Sequence, residues 1–129
     1  MEWRLAPDLK KEVVKIITTL KLSYIDPQRV FLFRSFGSRS RAQARIWGFP
    51  RIWQKALNQT PFYCLEVLEE KFDKLKAADK KKVLIHELLH IPQNFSGALL
   101  PHRRRGALIN RKKVEKLYQE FLKNADSSR

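Results

Sequence analysis

The stretch that most constrains this chain is Val83-Leu84-Ile85-His86-Glu87-Leu88-Leu89-His90-Ile91-Pro92. Nothing breaks it before Pro92, and its apolar residues fall on nearly every side of a helix, which makes it a central helix covered by other elements. Such a helix does not tolerate uncompensated polar side chains, yet His86, Glu87 and His90 stand in its middle. Spaced four apart, His86 and His90 share one face, and both imidazoles reach a single point outside it. A zinc ion suits that point, since it takes neutral nitrogen donors at about 2.0–2.1 Å. Glu87 lies about 100° round the helix from His86, beside such an ion and not on it. There it can take a proton from a water whose pKa the ion lowers to about 7. On the other reading of H-E-x-x-H, the two histidines are polar residues satisfied within the protein.

The chain holds three histidines, and all lie between positions 86 and 102. His102 follows a predicted turn at Asn94-Phe95-Ser96-Gly97 and is the natural third ligand, leaving a fourth coordination position open as catalytic zinc sites require. It also adjoins Arg103-Arg104-Arg105, so a place in a basic surface segment stays open for it. The rival ligand is Glu115, because no carboxylate occurs between Glu87 and Glu115.

His86 to His90, continued by Ile91-Pro92-Gln93-Asn94-Phe95-Ser96-Gly97 and then Pro101-His102-Arg103, resembles the phage and archaeal HExxH metallopeptidase family, relatives of the SprT-like and other compact zincin proteases. The likeness runs upstream through Arg45-Ile46-Trp47-Gly48, Tyr63-Cys64-Leu65-Glu66-Val67 and Phe72-Asp73-Lys74-Leu75, covering about 30 to 105. It implies a zinc-dependent endopeptidase with His86 and His90 as ligands, Glu87 as general base, His102 as third ligand and a polypeptide substrate. The SprT-like relation also implies proteins attached to DNA as substrates. Tyr63, Arg103 and Tyr118 are the candidates for an oxyanion or substrate contact.

Pro7 to about Leu22 reads as a helix, with Leu9, Val13, Ile16, Ile17 and Leu20 at helical spacing. Arg29–Phe36 reads as a largely buried strand, followed by the loop Gly37-Ser38-Arg39-Ser40-Arg41, either an ordinary hairpin loop or a phosphate contact. Ala42–Gly48 and Arg51–Leu57 read as two strands, with Trp47 and Trp53 packed on the sheet or stacked on bases. Phe62–Leu68 alternates as a strand. By the zincin resemblance it is the edge strand that pairs with an extended peptide, with Glu66 meeting a substrate amine or an internal arginine. Glu69–Leu75 is a short helix, and Ala77-Ala78-Asp79 opens the central one with Asp79 as its cap. Asn110 caps a last helix carrying Val114, Leu117, Tyr118, Phe121 and Leu122 as its stripe. The expected fold is α+β and minimally zincin-like: an N-terminal helix, a three- to four-stranded mixed sheet, the active-site helix and a C-terminal helix. At 129 residues the expectation is one domain over 1–123, with 124–129 a disordered tail.

Charge is the second constraint. The net charge is +14, and two acid-free stretches carry it. Pro27–Leu65 contains Arg29, Arg34, Arg39, Arg41, Arg45, Arg51 and Lys55, while Leu88–Val114 contains Arg103, Arg104, Arg105, Arg111, Lys112 and Lys113. Such a surface beside the proposed site gathers a polyanion or an acidic polypeptide near the chemistry, with Arg39, Arg41, Arg103, Arg104 and Arg105 as candidate DNA or RNA contacts. A basic nucleic-acid-binding protein with a structural or vestigial metal site is therefore the alternative function, and plain surface solvation explains the charge equally well. No apolar run approaches the roughly 20 residues of a membrane helix, and the start lacks signal-peptide features. Cys64 is the sole cysteine, so the expected setting is cytoplasmic, away from membranes. Nothing in the letters speaks to oligomeric state.

Overall fold

The computed structural model describes residues 1–104 and 107–127. Strand β1 (Glu2–Leu5) leads into helix α1 (Pro7–Thr19), which opens with Pro7 in its first turn and Asp8 beside the positive helix end. A 3-10 turn at Pro27–Arg29, capped by Asp26 through the Gln28 amide, delivers β2 (Val30–Phe36). Then come β3 (Ala44–Trp47), α2 (Arg51–Leu57), β4 (Tyr63–Leu68), the one-turn α3 (Glu69–Phe72) and α4 (Ala77–Leu88). A two-residue ribbon pairs β5 (Arg103–Arg104) with β6 (Ala107–Leu108), and α5 (Arg111–Ser127) closes the described chain.

The main sheet has the order β1-β2-β4-β3, with β2 and β4 parallel and both outer pairs antiparallel. This is the α+β fold with a four-stranded mixed sheet. One sheet face carries Val30, Leu32, Tyr63, Leu65, Val67 and Ala44 against α1, α4 and α5. Val13, Ile16, Leu65, Val67 and Phe72 have no exposed surface. Each is worth about 1.5–3 kcal/mol over an exposed copy. The opposite face aligns Trp47, Cys64 and Phe31 in one row and Arg45, Glu66 and Phe33 in the next. That face is largely open, with Trp3, Phe31 and Trp47 exposed. Among the described residues no helix is long and apolar enough to cross a membrane.

Several expectations need correction. Arg51–Leu57 is a helix and not a strand. Pro50 precedes its first turn, and Asn58 in the left-handed conformation (φ 51°) ends it by returning its amide to Lys55. Its apolar residues Ile52, Trp53 and Leu57 are exposed, as is Trp47, so neither tryptophan is core. β1 was not anticipated. β4 is internal, paired on both sides, and β3 is the edge strand next to it, β1 being the other edge. α4 starts at Ala77 after Lys76, so Asp79 lies inside the first turn and is not the cap. Lys81 and Lys82 sit one turn further in and meet Glu12 at 3.2 Å and Glu115 at 2.8 Å. α5 runs through 124–127, which the sequence assigns to a tail.

Candidate metal centre

α4 is held in place by Leu84, Ile85 and Leu88, all buried against the sheet. It ends at Leu88, short of Pro92. The His90 amide bonds to the Glu87 carbonyl and the Ile91 amide to the Leu88 carbonyl, each at 3.1 Å and three residues back, so the last turn tightens to 3-10 geometry. The His86 and His90 rings nevertheless stay on one face, with centroids 5.3 Å apart.

The chain then reverses and returns antiparallel to its own path. The Leu100 amide bonds the His90 carbonyl at 2.7 Å, and His90 Nδ1 bonds the Leu100 carbonyl. Since a carbonyl only accepts, that nitrogen carries the proton and Nε2 presents its lone pair outward. The returning loop is clamped from three sides. Gly97 (φ +93°) lies where a Cβ would stand 2.2 Å from the Phe49 carbonyl oxygen. Gln54 Nε2 donates to the carbonyls of Phe49 and Ser96, both at 2.8 Å. The Tyr63 hydroxyl accepts from the Gly97 amide and donates to the Ala98 carbonyl, also at 2.8 Å. So fastened, the loop brings the His102 ring to 4.5 Å from His90 and 5.1 Å from His86.

The nitrogen donors of His86, His90 and His102 all lie within 4.8 Å of one another, with His86 Nε2 and His102 Nε2 3.1 Å apart. A tetrahedral ion with Zn–N of 2.0–2.1 Å needs donors about 3.3 Å apart, which small ring rotations reach. Burial lowers the affinity of His86 and His90 for a second proton, and the neighbouring imidazoles lower it further. They are therefore neutral donors at neutral pH, the form a metal requires. Three imidazoles with no carboxylate among them fit a divalent transition metal. Glu87 is buried next to the cluster, and burial pushes its carboxyl up to about 7.

A family model described as "putative phage metallopeptidase" matches residues 1–122. The chain belongs to this family. No curated protein and no solved structure matches it. Membership and the three-histidine cluster together indicate a metal-dependent peptidase with a polypeptide substrate.

Other residues singled out in this phage-type metallopeptidase fall elsewhere. Glu115 is engaged by Lys82 at the surface and lies outside the histidine cluster. The Tyr63 hydroxyl is spent on the loop, and the Tyr118 ring lies under Lys82. Arg39 and Arg41 are exposed between β2 and β3. Arg105 lies outside the described residues, as do the side chains of Arg103 and Arg104. Glu66 meets an internal arginine: Arg45 grips it with two bonds, at 2.9 and 3.1 Å, and the Trp47 indole adds a third at 2.9 Å. Burial alone would raise this carboxyl, but the Arg45 and Trp47 contacts outweigh it and hold it below its ordinary value. Sequence reasoning missed the clamping role of Gln54 and Gly97, and the close approach at Gly48, where a Cβ would stand 2.5 Å from the Gly97 carbonyl oxygen. It also missed that β3 borders the site, where Ala44, Arg45 and Ile46 line a hollow of about 350 Å³ with His90 and His102. Pro50 and Asn58, read as helix punctuation, would have pointed to α2 and so to Gln54.

Proposed function

We propose that the protein is a zinc-dependent endopeptidase of the HExxH zincin type. The observation that carries this reading is the convergence of three imidazole donors within 4.8 Å beside the buried Glu87. His86, His90 and His102 hold the ion. When bound, zinc supplies Lewis acidity that acidifies a water and polarises the scissile carbonyl. Glu87, with a carboxyl near 7, takes the proton of the attacking water and passes it to the leaving amine. His90 is kept in the productive tautomer by Leu100. β3 offers its unpaired edge to an extended peptide, supplying main-chain hydrogen bonds with little sequence preference. A cytoplasmic setting suits the lone, half-buried Cys64.

The test is Glu87→Ala. The variant retains one zinc per chain and no longer cuts casein, whereas cutting at the parental rate would refute the mechanism.

The exposure of Trp47 and Trp53 on a strongly basic chain supports a second reading, binding of nucleic acid by stacking and charge. Titration of an oligonucleotide across salt then gives a steep logarithmic slope and quenches tryptophan fluorescence. A flat response leaves the charge as surface solvation.

A further inference from the structure

Two cavities meet at Glu87. The 350 Å³ hollow on the His102 side has Ile46, Leu99, Leu100 and Pro101 in its wall, and its one cation besides the histidines, Arg45, is paired with Glu66. A cleft of about 1300 Å³ opens on the other side, between α4, the start of α5 and Ala44 of β3, with His86 at its border. Ala44 and Glu87 line both, so a chain passing the base leaves one flank in each. The flanks differ in chemistry. In the large cleft Lys82, Arg111, Lys112 and Lys116 face Asp79 and Glu115. Lys82 and Glu115 neutralise each other at 2.8 Å. Arg111, Lys112 and Lys116 are exposed, and among the described residues no carboxylate pairs with them. Arg111 also begins α5, whose aligned peptide dipoles add partial positive charge there. With Lys82 and Glu115 cancelling, Arg111, Lys112 and Lys116 outnumber Asp79, the remaining carboxylate besides the base, and a concave wall with such an excess concentrates the opposite charge near the chemistry.

We infer that this cleft receives an acidic segment of the substrate, so that the enzyme cuts polypeptides beside Asp or Glu on one side of the scissile bond. The Lys82–Glu115 pair ties the start of α5 to α4 one helical turn before His86, about 6 Å along the axis. Lys116 adjoins Glu115, and Arg111 and Lys112 lie one turn before it, which places these cations about two residues of extended peptide from His86. The acid therefore sits about two to three residues from the bond that is cut. This inference rests on the peptidase reading and adds a substrate class to it.

The test uses the full chain and matched peptides with a common apolar centre. The residue two or three positions to either side is Glu, Gln or Lys. Binding is read by fluorescence anisotropy on the zinc-loaded Glu87→Gln variant, and cut sites on the zinc-loaded parent by mass spectrometry. Glu peptides should bind about tenfold more tightly than Gln peptides at low salt, on one side of the cut only, with Lys peptides weakest. The double change Lys112→Glu and Lys116→Glu should abolish or reverse that order. Equal binding of Glu and Gln peptides would overturn the inference, as would a preference that survives the double change. So would an oligonucleotide that displaces the Glu peptide and loses its own binding with the same substitutions, since phosphate would then be the ligand. If no peptide is cut by the parent, the peptidase reading fails, while the binding arm still decides whether the cleft selects acids.

Discussion

Replacing Tyr63 with Phe removes one oxygen and leaves the ring in place against Phe95, whose centroid lies 4.9 Å away. That oxygen makes two hydrogen bonds to the loop carrying His102, one from the buried Gly97 amide and one to the Ala98 carbonyl. A neutral hydrogen bond contributes about 1 kcal/mol net, and a buried donor left without a partner costs about 1–3 kcal/mol. The expected loss is therefore about 2–4 kcal/mol. For 129 residues the unfolding entropy converts each kcal/mol to roughly 4 °C, so Tm should fall by about 8–16 °C. Stability is measured by urea and thermal unfolding with chelator present, so that metal release does not contribute. Zinc affinity, measured separately by competition with a chromophoric chelator, should drop about 10- to 100-fold, the usual effect of loosening a ligand's support. A stability change under about 0.5 kcal/mol, the range of neutral surface substitutions, would refute the claim that Tyr63 holds the loop. Lost stability with unchanged zinc affinity would separate the loop from the metal site.

Three further outcomes follow from the same geometry. His102→Ala should lower bound zinc per chain while Glu115→Ala leaves it intact; metal analysis showing the reverse would move the third ligand to α5. Gly97→Ala forces a Cβ to 2.2 Å from the Phe49 oxygen at φ +93° and should cost about 3 kcal/mol or more through strain and displacement of the loop, read as a lowered urea midpoint. Glu66, held below its ordinary 4.5 by Arg45 and Trp47, contributes stability that is full above that value and declines as pH falls through the lowered folded value. Between pH 6 and 3 the parent should thus lose more stability than Glu66→Gln, and parallel pH curves would deny the buried pair this role.

What could be read from the letters was what periodicity or clustering encodes. α1 and α5 show apolar stripes, β2 and β4 their β-branched and aromatic residues, and the histidines their confinement to 86–102. Arg51–Leu57 misled because Ile52 and Trp53 carry strand propensity, while the helix they form exposes every apolar residue and so has no buried stripe to betray it. β4 was taken for an edge strand on the zincin resemblance, with Glu66 on the face opposite Tyr63, Leu65 and Val67. The buried Glu66 carboxylate is neutralised by Arg45 across the strand pair, and that partner lies 21 residues away. Helix punctuation could have placed Gln54 on α2, but what Gln54 and Gly97 do lies in contacts with segments more than 40 residues away, which local pattern does not record. The end of α4 at Leu88 moved because the amides of His90 and Ile91 bond three residues back, to Glu87 and Leu88, a tightening that the letters before Pro92 do not announce.

No neighbouring pair in the main sheet is joined by a tight hairpin. β1 reaches β2 through α1, β3 reaches β4 through α2, and the parallel partners β2 and β4 have all of 37–62 between them. Assembly must therefore meet the entropy of several large closures before any local reward, which places this chain among the slower folders of its size. The ligand loop can be pinned only after Tyr63 and α2 have found their places. Ion capture then comes after the rate-limiting barrier: added zinc should slow the unfolding limb of a chevron plot and leave the refolding limb where it was.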